Sequence, residues 1–183
     1  MSSFFSQVFS WVCGQELAHT WAPGGEFLPL CQRCMGLYAG AALGFILLLS
    51  FRPRIDARYR WIHSALVLAM IPFGYHLVPH GAFVRTLSGQ WFGFGVAGLL
   101  WPLAARGCAL DEACSSGFRS YVICVLSSVL VLPAFACYGG KIAGLLLQWV
   151  AFLGLAVLAV LFVLDFFLLC LSLAQRAVKI RER

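Results

Sequence analysis

The chain has 183 residues, of which 62% are hydrophobic and 11% charged, with a formal net charge of +6. A chain this apolar does not stay dispersed in water as a folded domain, so a soluble globular protein is excluded and an integral membrane protein is expected. The positive charge does not point to nucleic acid, because the basic residues fall in short clusters between apolar runs, where they set membrane topology.

Several runs reach the roughly 20 residues that a helix needs to cross a hydrocarbon core of about 30 Å. None shows the alternation of a membrane β-barrel. The expected fold is therefore all-α, a polytopic membrane helix bundle of about five transmembrane helices.

Residues 2–12 carry Phe4, Phe5, Phe9 and Trp11 but are too short to span, and read as an interfacial helix at headgroup level. They lack the basic flank, apolar stretch and small-residue site of a cleavable signal peptide. Residues 13–30 read as irregular, with a turn at Pro23, Gly24 and Gly25 and an extended approach from Pro29 to Cys31. Spans are expected over about residues 34–51, 61–78, 88–105, 121–138 and 142–173. The second carries His63, His76 and a kink at Pro72, Phe73 and Gly74. The polar stretch 106–120, with Cys108, Asp111, Glu112 and Cys114, separates the third from the fourth. The fifth run is longer than a perpendicular span, so it should tilt or project. Three parts follow: an interfacial and Cys/His segment over 1–33, the bundle over 34–173 and a basic tail over 174–183.

Five spans place Arg52, Arg54, Arg58, Arg60, Arg106, Arg119, Arg176, Lys179, Arg181 and Arg183 on one side, and only Arg33, Arg85 and Lys141 on the other. The positive-inside rule makes the first side cytoplasmic, in a multi-pass protein of the cell membrane with its N-terminus outside. Arg33 precedes Gly36, Gly40 and Gly44, and Arg85 precedes Gly89 and Gly93. Each series puts an arginine at an outer mouth above a stripe of small residues, which lets helices approach closely in lipid. A parallel repeat of two two-helix units is one reading and coincidence in a glycine-rich chain is the other.

Cys13, His19, Cys31 and Cys34 are separated by five, eleven and two residues. Two cysteines two residues apart grip a metal from one knuckle, and an upstream Cys and His can close a tetrahedron around zinc. Arg33 between them offsets part of the thiolate charge. The same Cys31 and Cys34, at a helix N-terminus beside a cation, also fit a lowered thiol pKa and disulfide exchange. No second dithiol appears on that side to relay electrons. Cys124, Cys137 and Cys170 lie in apolar runs and read as small hydrophobic residues.

Asp165 lies deep in the last run with Gln148 several turns above it. An ionisable group at that depth faces the bundle interior, as a packing group or on an ion path. His63 and His76 are its candidate partners, and depth favours His63.

Residues 30–40, Leu-Cys-Gln-Arg-Cys-Met-Gly-Leu-Tyr-Ala-Gly, resemble an uncharacterised family of small prokaryotic membrane proteins bearing a domain of unknown function. The shared signature is an upstream Cys, then Cys-x-Arg-Cys-x-Gly-x-Tyr-x-Gly, then a later Arg-x-x-x-Gly matched by Arg85 and Gly89. The resemblance covers roughly residues 13–98. Relatives carry a His directly after the first Cys, where this chain has Gly14, which leaves His19 as the substitute ligand or no ligand. The resemblance implies a membrane location and no particular activity.

The first functional expectation is a non-enzymatic membrane protein whose outer Cys/His cluster binds zinc, acting as an accessory subunit or in metal handling. Its partners are the lipid bilayer and other membrane subunits. A membrane thiol oxidoreductase using Cys31 and Cys34 is the alternative, and a small transporter built on Asp165 is the third.

Overall fold

The computed structural model describes residues 2–75, 77–107 and 117–181. His76, Cys108, Asp111, Glu112 and Cys114 fall outside the described residues. Among those described the fold is all-α, with α1 Ser2–Ser10, α2 Gln32–Phe51, α3 Ala57–Leu68, α4 Ile71–Gly74, α5 Ala82–Gly107, α6 Gly117–Tyr138 and α7 Gly140–Arg181. Between α1 and α2 run two short 3₁₀ turns, Leu17–His19 and Pro23–Gly25.

Local chemistry sets the helix ends. Cys31 caps α2, its Sγ accepting from the Cys34 amide. Asp56 caps α3 by accepting from the Tyr59 amide at 2.8 Å, which satisfies one of the unpaired first-turn donors. The helix expected over 61–78 does not form as one piece. α3 stops at Leu68 after 12 residues, only about 18 Å at ~1.5 Å per residue. Pro72 explains the break: it offers no amide to the Leu68 carbonyl, and its ring crowds the preceding turn. Pro72 thus interrupts the helix, which resumes past Ala69 and Met70, both of right-handed helical conformation, as the short α4.

Among the described residues three helices are long and apolar enough to cross a membrane, over Gln32–Phe51, Arg119–Tyr138 and Gly140–Ala177. α5 has the length, at 26 residues, but carries Thr86, Ser88 and Gln90, all buried. It is the central helix, packed against α2, α3, α6 and α7, so its polar side chains meet protein rather than lipid. α7 has 42 residues, about 63 Å at ~1.5 Å each. Twice the hydrocarbon thickness, it leaves Val160, Phe162, Val163, Phe166 and Phe167 exposed along its far half.

Contacts fix the relative helix directions. Gly36, Gly40 and Gly44 of α2 abut Thr86, Gln90 and Phe94 of α5 in rising order, so the two run parallel. In α3, Tyr59 reaches Gly98 and His63 reaches Phe94, so α3 runs against α5. α6 also opposes α5, with Tyr121 beside His63 and Ser128 beside Gln90. α7 follows α2 and α5, since Gly144 meets Pro23, Gly154 meets Tyr38 and Leu168 meets Gly107.

The contact between α2 and α5 is self-matching. A Cβ added at Gly36 would strike the Thr86 carbonyl, and one at Gly89 the Arg33 carbonyl; Gly40 faces the Gln90 carbonyl as Gly93 faces that of Leu37. Gly36 is thus paired with Gly89 and Gly40 with Gly93 around a local two-fold. The second members of the two units differ, α3 having 12 residues and α6 22.

The N-terminal segment is docked on the bundle. Phe5 and Phe9 of α1 are buried in one cluster with Cys13, Leu28, Leu30, Met35, Tyr38 and Ala151. Phe5 meets Trp149 edge-on at 5.1 Å. The aromatic face expected to lie in the interface therefore turns towards protein, while Phe4 and Trp11 remain exposed. A second cluster around Leu48, Tyr59, Phe94, Trp101 and Tyr121 fills the opposite end.

Candidate metal centre

Two chain segments converge above the N-terminus of α2. The loop after α1 brings Cys13, the bridge between Thr20 and Cys31 holds the return strand in place, and the first turn of α2 supplies Cys34. The Sγ atoms of Cys13, Cys31 and Cys34 all lie within 4.8 Å of one another, and all three cysteines are free thiols.

Gln15 builds the loop. Its backbone adopts φ 49°, a left-handed conformation, and its side-chain amide donates to the carbonyls of Ser6 at 2.7 Å and Pro29 at 3.0 Å. One residue thereby ties the end of α1 to the approach of Cys31. Trp21 fixes the far side of the loop by donating from Nε1 to Thr86 Oγ1 at 2.8 Å. At Gly24 (φ 67°) a Cβ would lie 2.6 Å from the Lys141 amide nitrogen, so only glycine lets the loop rest on the start of α7. Beside it Lys141 pairs with Glu26 at 2.8 Å.

The amides of Cys31 and Gln15 donate to Cys13 Sγ at 3.3 and 3.4 Å. Hydrogen bonds from Cys31 and Cys34, with these amides, hold the Cys13 thiol well below its ordinary pKa against the opposing effect of burial. The Cys31 thiol is pushed up, chiefly because it donates to Cys13.

The donor set fits a thiophilic metal. Tetrahedral zinc with Zn–S bonds of about 2.3 Å needs sulfurs about 3.8 Å apart, so the trio closes by less than about 1 Å from the 4.8 Å limit. His19 is not in the sulfur group. Its Nδ1–H is given to Glu16 Oε2 at 2.7 Å, and it stands on the wall of the same cavity as Cys31 and Cys34.

A family model described as "Predicted membrane protein (DUF2085)" matches residues 13–99. That stretch holds the whole cysteine cluster and both glycine stripes, and the resemblance read at residues 30–40 is to an uncharacterised membrane-protein family of this kind. No curated protein and no solved structure matches the chain. The protein is a helical membrane protein with a cysteine trio able to hold a metal.

The remaining candidates divide between the thiol cavity and the rest of the bundle. Arg33 sits on the cavity wall and donates from its guanidinium to the Phe73 carbonyl at 2.8 Å, with His80 Nε2 3.4 Å away. Arg85 lines the same cavity. His63 does not pair with Asp165, correcting that expectation. Its Nδ1–H donates to the Phe94 carbonyl at 3.1 Å, and its Nε2 accepts from Tyr121 Oη at 3.2 Å. Asp165 Oδ1 is buried without a hydrogen-bond partner among the described residues. Gln148 lines a different cleft with Glu26 and Lys141. Gln15, Glu16, Trp21, Tyr59 and Tyr121 went unnoticed in the sequence. Only the phase of Glu16 to His19, three residues apart, offered a local signal.

Proposed function

We propose that this is a multi-pass protein of the cell membrane whose extracytoplasmic trio Cys13, Cys31 and Cys34 binds a thiophilic metal, zinc foremost. The metal clamps the N-terminal segment onto the bundle, in an accessory subunit or a metal-handling protein. The observation that carries this is the convergence within 4.8 Å of Cys13, from the loop after α1, with Cys31 and Cys34 at the start of α2, braced by the backbone amides of Cys31 and Gln15 on Cys13 Sγ. Sidedness rests on charge: the parallel run of α2, α5 and α7 gathers Arg52, Arg106 and Arg176 at one end and Arg33, Arg85 and Lys141 at the other. His19 is the candidate fourth donor. Its Nδ1–H on a carboxylate is the arrangement that orients an imidazole to ligate through Nε2.

Elemental analysis of protein purified under reductant tests the reading. One zinc per chain is expected in the parent and in Cys137→Ser, and none in Cys31→Ser. Metal-free parent protein in which Cys31 and Cys34 form a disulfide once the reductant is removed would replace it with thiol exchange.

A further inference from the structure

The cavity beside the thiols has a volume of about 270 Å³ and is walled by Glu16, His19, Cys31, Arg33, Cys34 and Arg85. At about 30 Å³ per water it has room for a ligand of several heavy atoms. Its charges are unevenly satisfied. Glu16 is committed to His19. Arg33 leaves its Nε buried without an acceptor among the described residues. Arg85 is only partly exposed, and its guanidinium makes no hydrogen bond or ion pair among the described residues. A divalent metal on three thiolates would carry one negative charge, which Arg33 offsets from its place between the cysteines. Arg85 is then left facing the cavity with its charge unmatched.

We propose that this cavity binds a phosphate-type oxyanion between Arg33 and Arg85, next to the cysteine trio. Guanidinium groups present planar forks of N–H donors suited to phosphate oxygens. Both arginines belong to first turns, of α2 and α5, whose parallel dipoles add positive potential at that end. The proposal goes beyond the metal reading and survives its failure, because neither arginine is a metal ligand. The oxyanion comes from solution or from a phospholipid headgroup, which present the same oxygens at this membrane face.

Calorimetric titration of inorganic phosphate into the full chain in a phospholipid-free glycoside detergent tests it, with metal content measured on the same samples. Saturable binding is expected in the parent and in Arg60→Gln, and a loss of about tenfold or more, ~1.4 kcal/mol, in Arg85→Gln. The Arg85 side chain makes no hydrogen bond or ion pair among the described residues that its replacement would break, and retained metal content reports an intact site. No saturable binding in the parent, or equal binding in Arg85→Gln, overturns the proposal. Repeating the titration in phosphatidylcholine nanodiscs with and without phosphatidic acid separates the sources. Phosphate binding suppressed by phosphatidic acid assigns the site to a headgroup, and binding indifferent to it assigns the site to a soluble anion. Phosphate binding by metal-free protein keeps this proposal while removing the metal.

Discussion

Gly40 on α2 lies against the backbone of Gln90 on α5 so closely that a Cβ there would come within 2.9 and 3.0 Å of the Gln90 Cα and carbonyl carbon and nearer still to the oxygen. The obstructing atoms are main chain, so no rotamer change relieves them. Helix propensity favours Ala over Gly by about 1 kcal/mol, but overpacking at a fixed contact costs about 1–3 kcal/mol. Gly40→Ala is therefore expected to be net destabilising and Gly40→Leu to prevent stable assembly of α2 with α5. Thermal unfolding followed by tryptophan fluorescence checks this. An unchanged midpoint for Gly40→Leu would show that the two helices do not pack as described.

Tyr59 and Pro102 form a compensating pair through Gly98. In a regular helix the amide at position 102 would donate to the Gly98 carbonyl; Pro102 has none, and Tyr59 Oη donates to that carbonyl at 2.7 Å instead. Tyr59→Phe strands a buried acceptor, at about 1–3 kcal/mol. Pro102→Ala restores the amide, so Tyr59→Phe should cost much less in that background. A double-mutant cycle on the unfolding midpoint reads the coupling directly. Strict additivity would mean that Tyr59 acts by packing alone.

The all-helical bundle, the Pro23 turn and the glycine register were legible because each is local. Four-residue spacing places Gly36, Gly40 and Gly44 on one face whatever lies opposite. Apolarity alone misplaced the element boundaries. α5 begins at Ala82 rather than near Ser88, because its first turn is polar and buried by neighbours instead of lipid. α3 ends at Leu68, although the same Pro72 read only as a kink. Nothing local could bring Tyr121 to His63, 58 residues away, or pair Trp21 with Thr86 across 65. At the site, the spacing of Cys31 and Cys34 was informative by itself. Cys13, grouped with them by sequence, does join them, and the Gln15 ties show how its loop gets there; His19, grouped with them as well, stands on the cavity wall beyond the sulfur group.

Metal removal should destabilise the N-terminal segment before the bundle. A ligand held at about 100 times its dissociation constant stabilises the bound state by about 2.7 kcal/mol. Chelation of the zinc-loaded protein is expected to lower the unfolding midpoint and to raise amide exchange over residues 11–31, leaving α5 and α6 protected. Cys13→Ser should show those values before chelation and no further change after it. Exchange rising equally throughout the bundle would contradict a local clamp.

Gln15 offers a test of how the trio is preorganised, because its backbone and side chain can be separated. Its φ of 49° costs a non-glycine residue about 1–2 kcal/mol, and its amide makes two hydrogen bonds, to Ser6 and Pro29, each worth about 1 kcal/mol. Gln15→Gly relieves the backbone while losing both bonds; Gln15→Ala keeps the strain and loses the bonds. The glycine variant should therefore bind zinc only slightly more weakly than the parent, and the alanine variant more weakly than either, by about tenfold or ~1.4 kcal/mol. Competition with a chromophoric zinc chelator measures both. Equal affinities for all three proteins would mean that the loop forms the site only once the metal has arrived, with Gln15 merely closing over it.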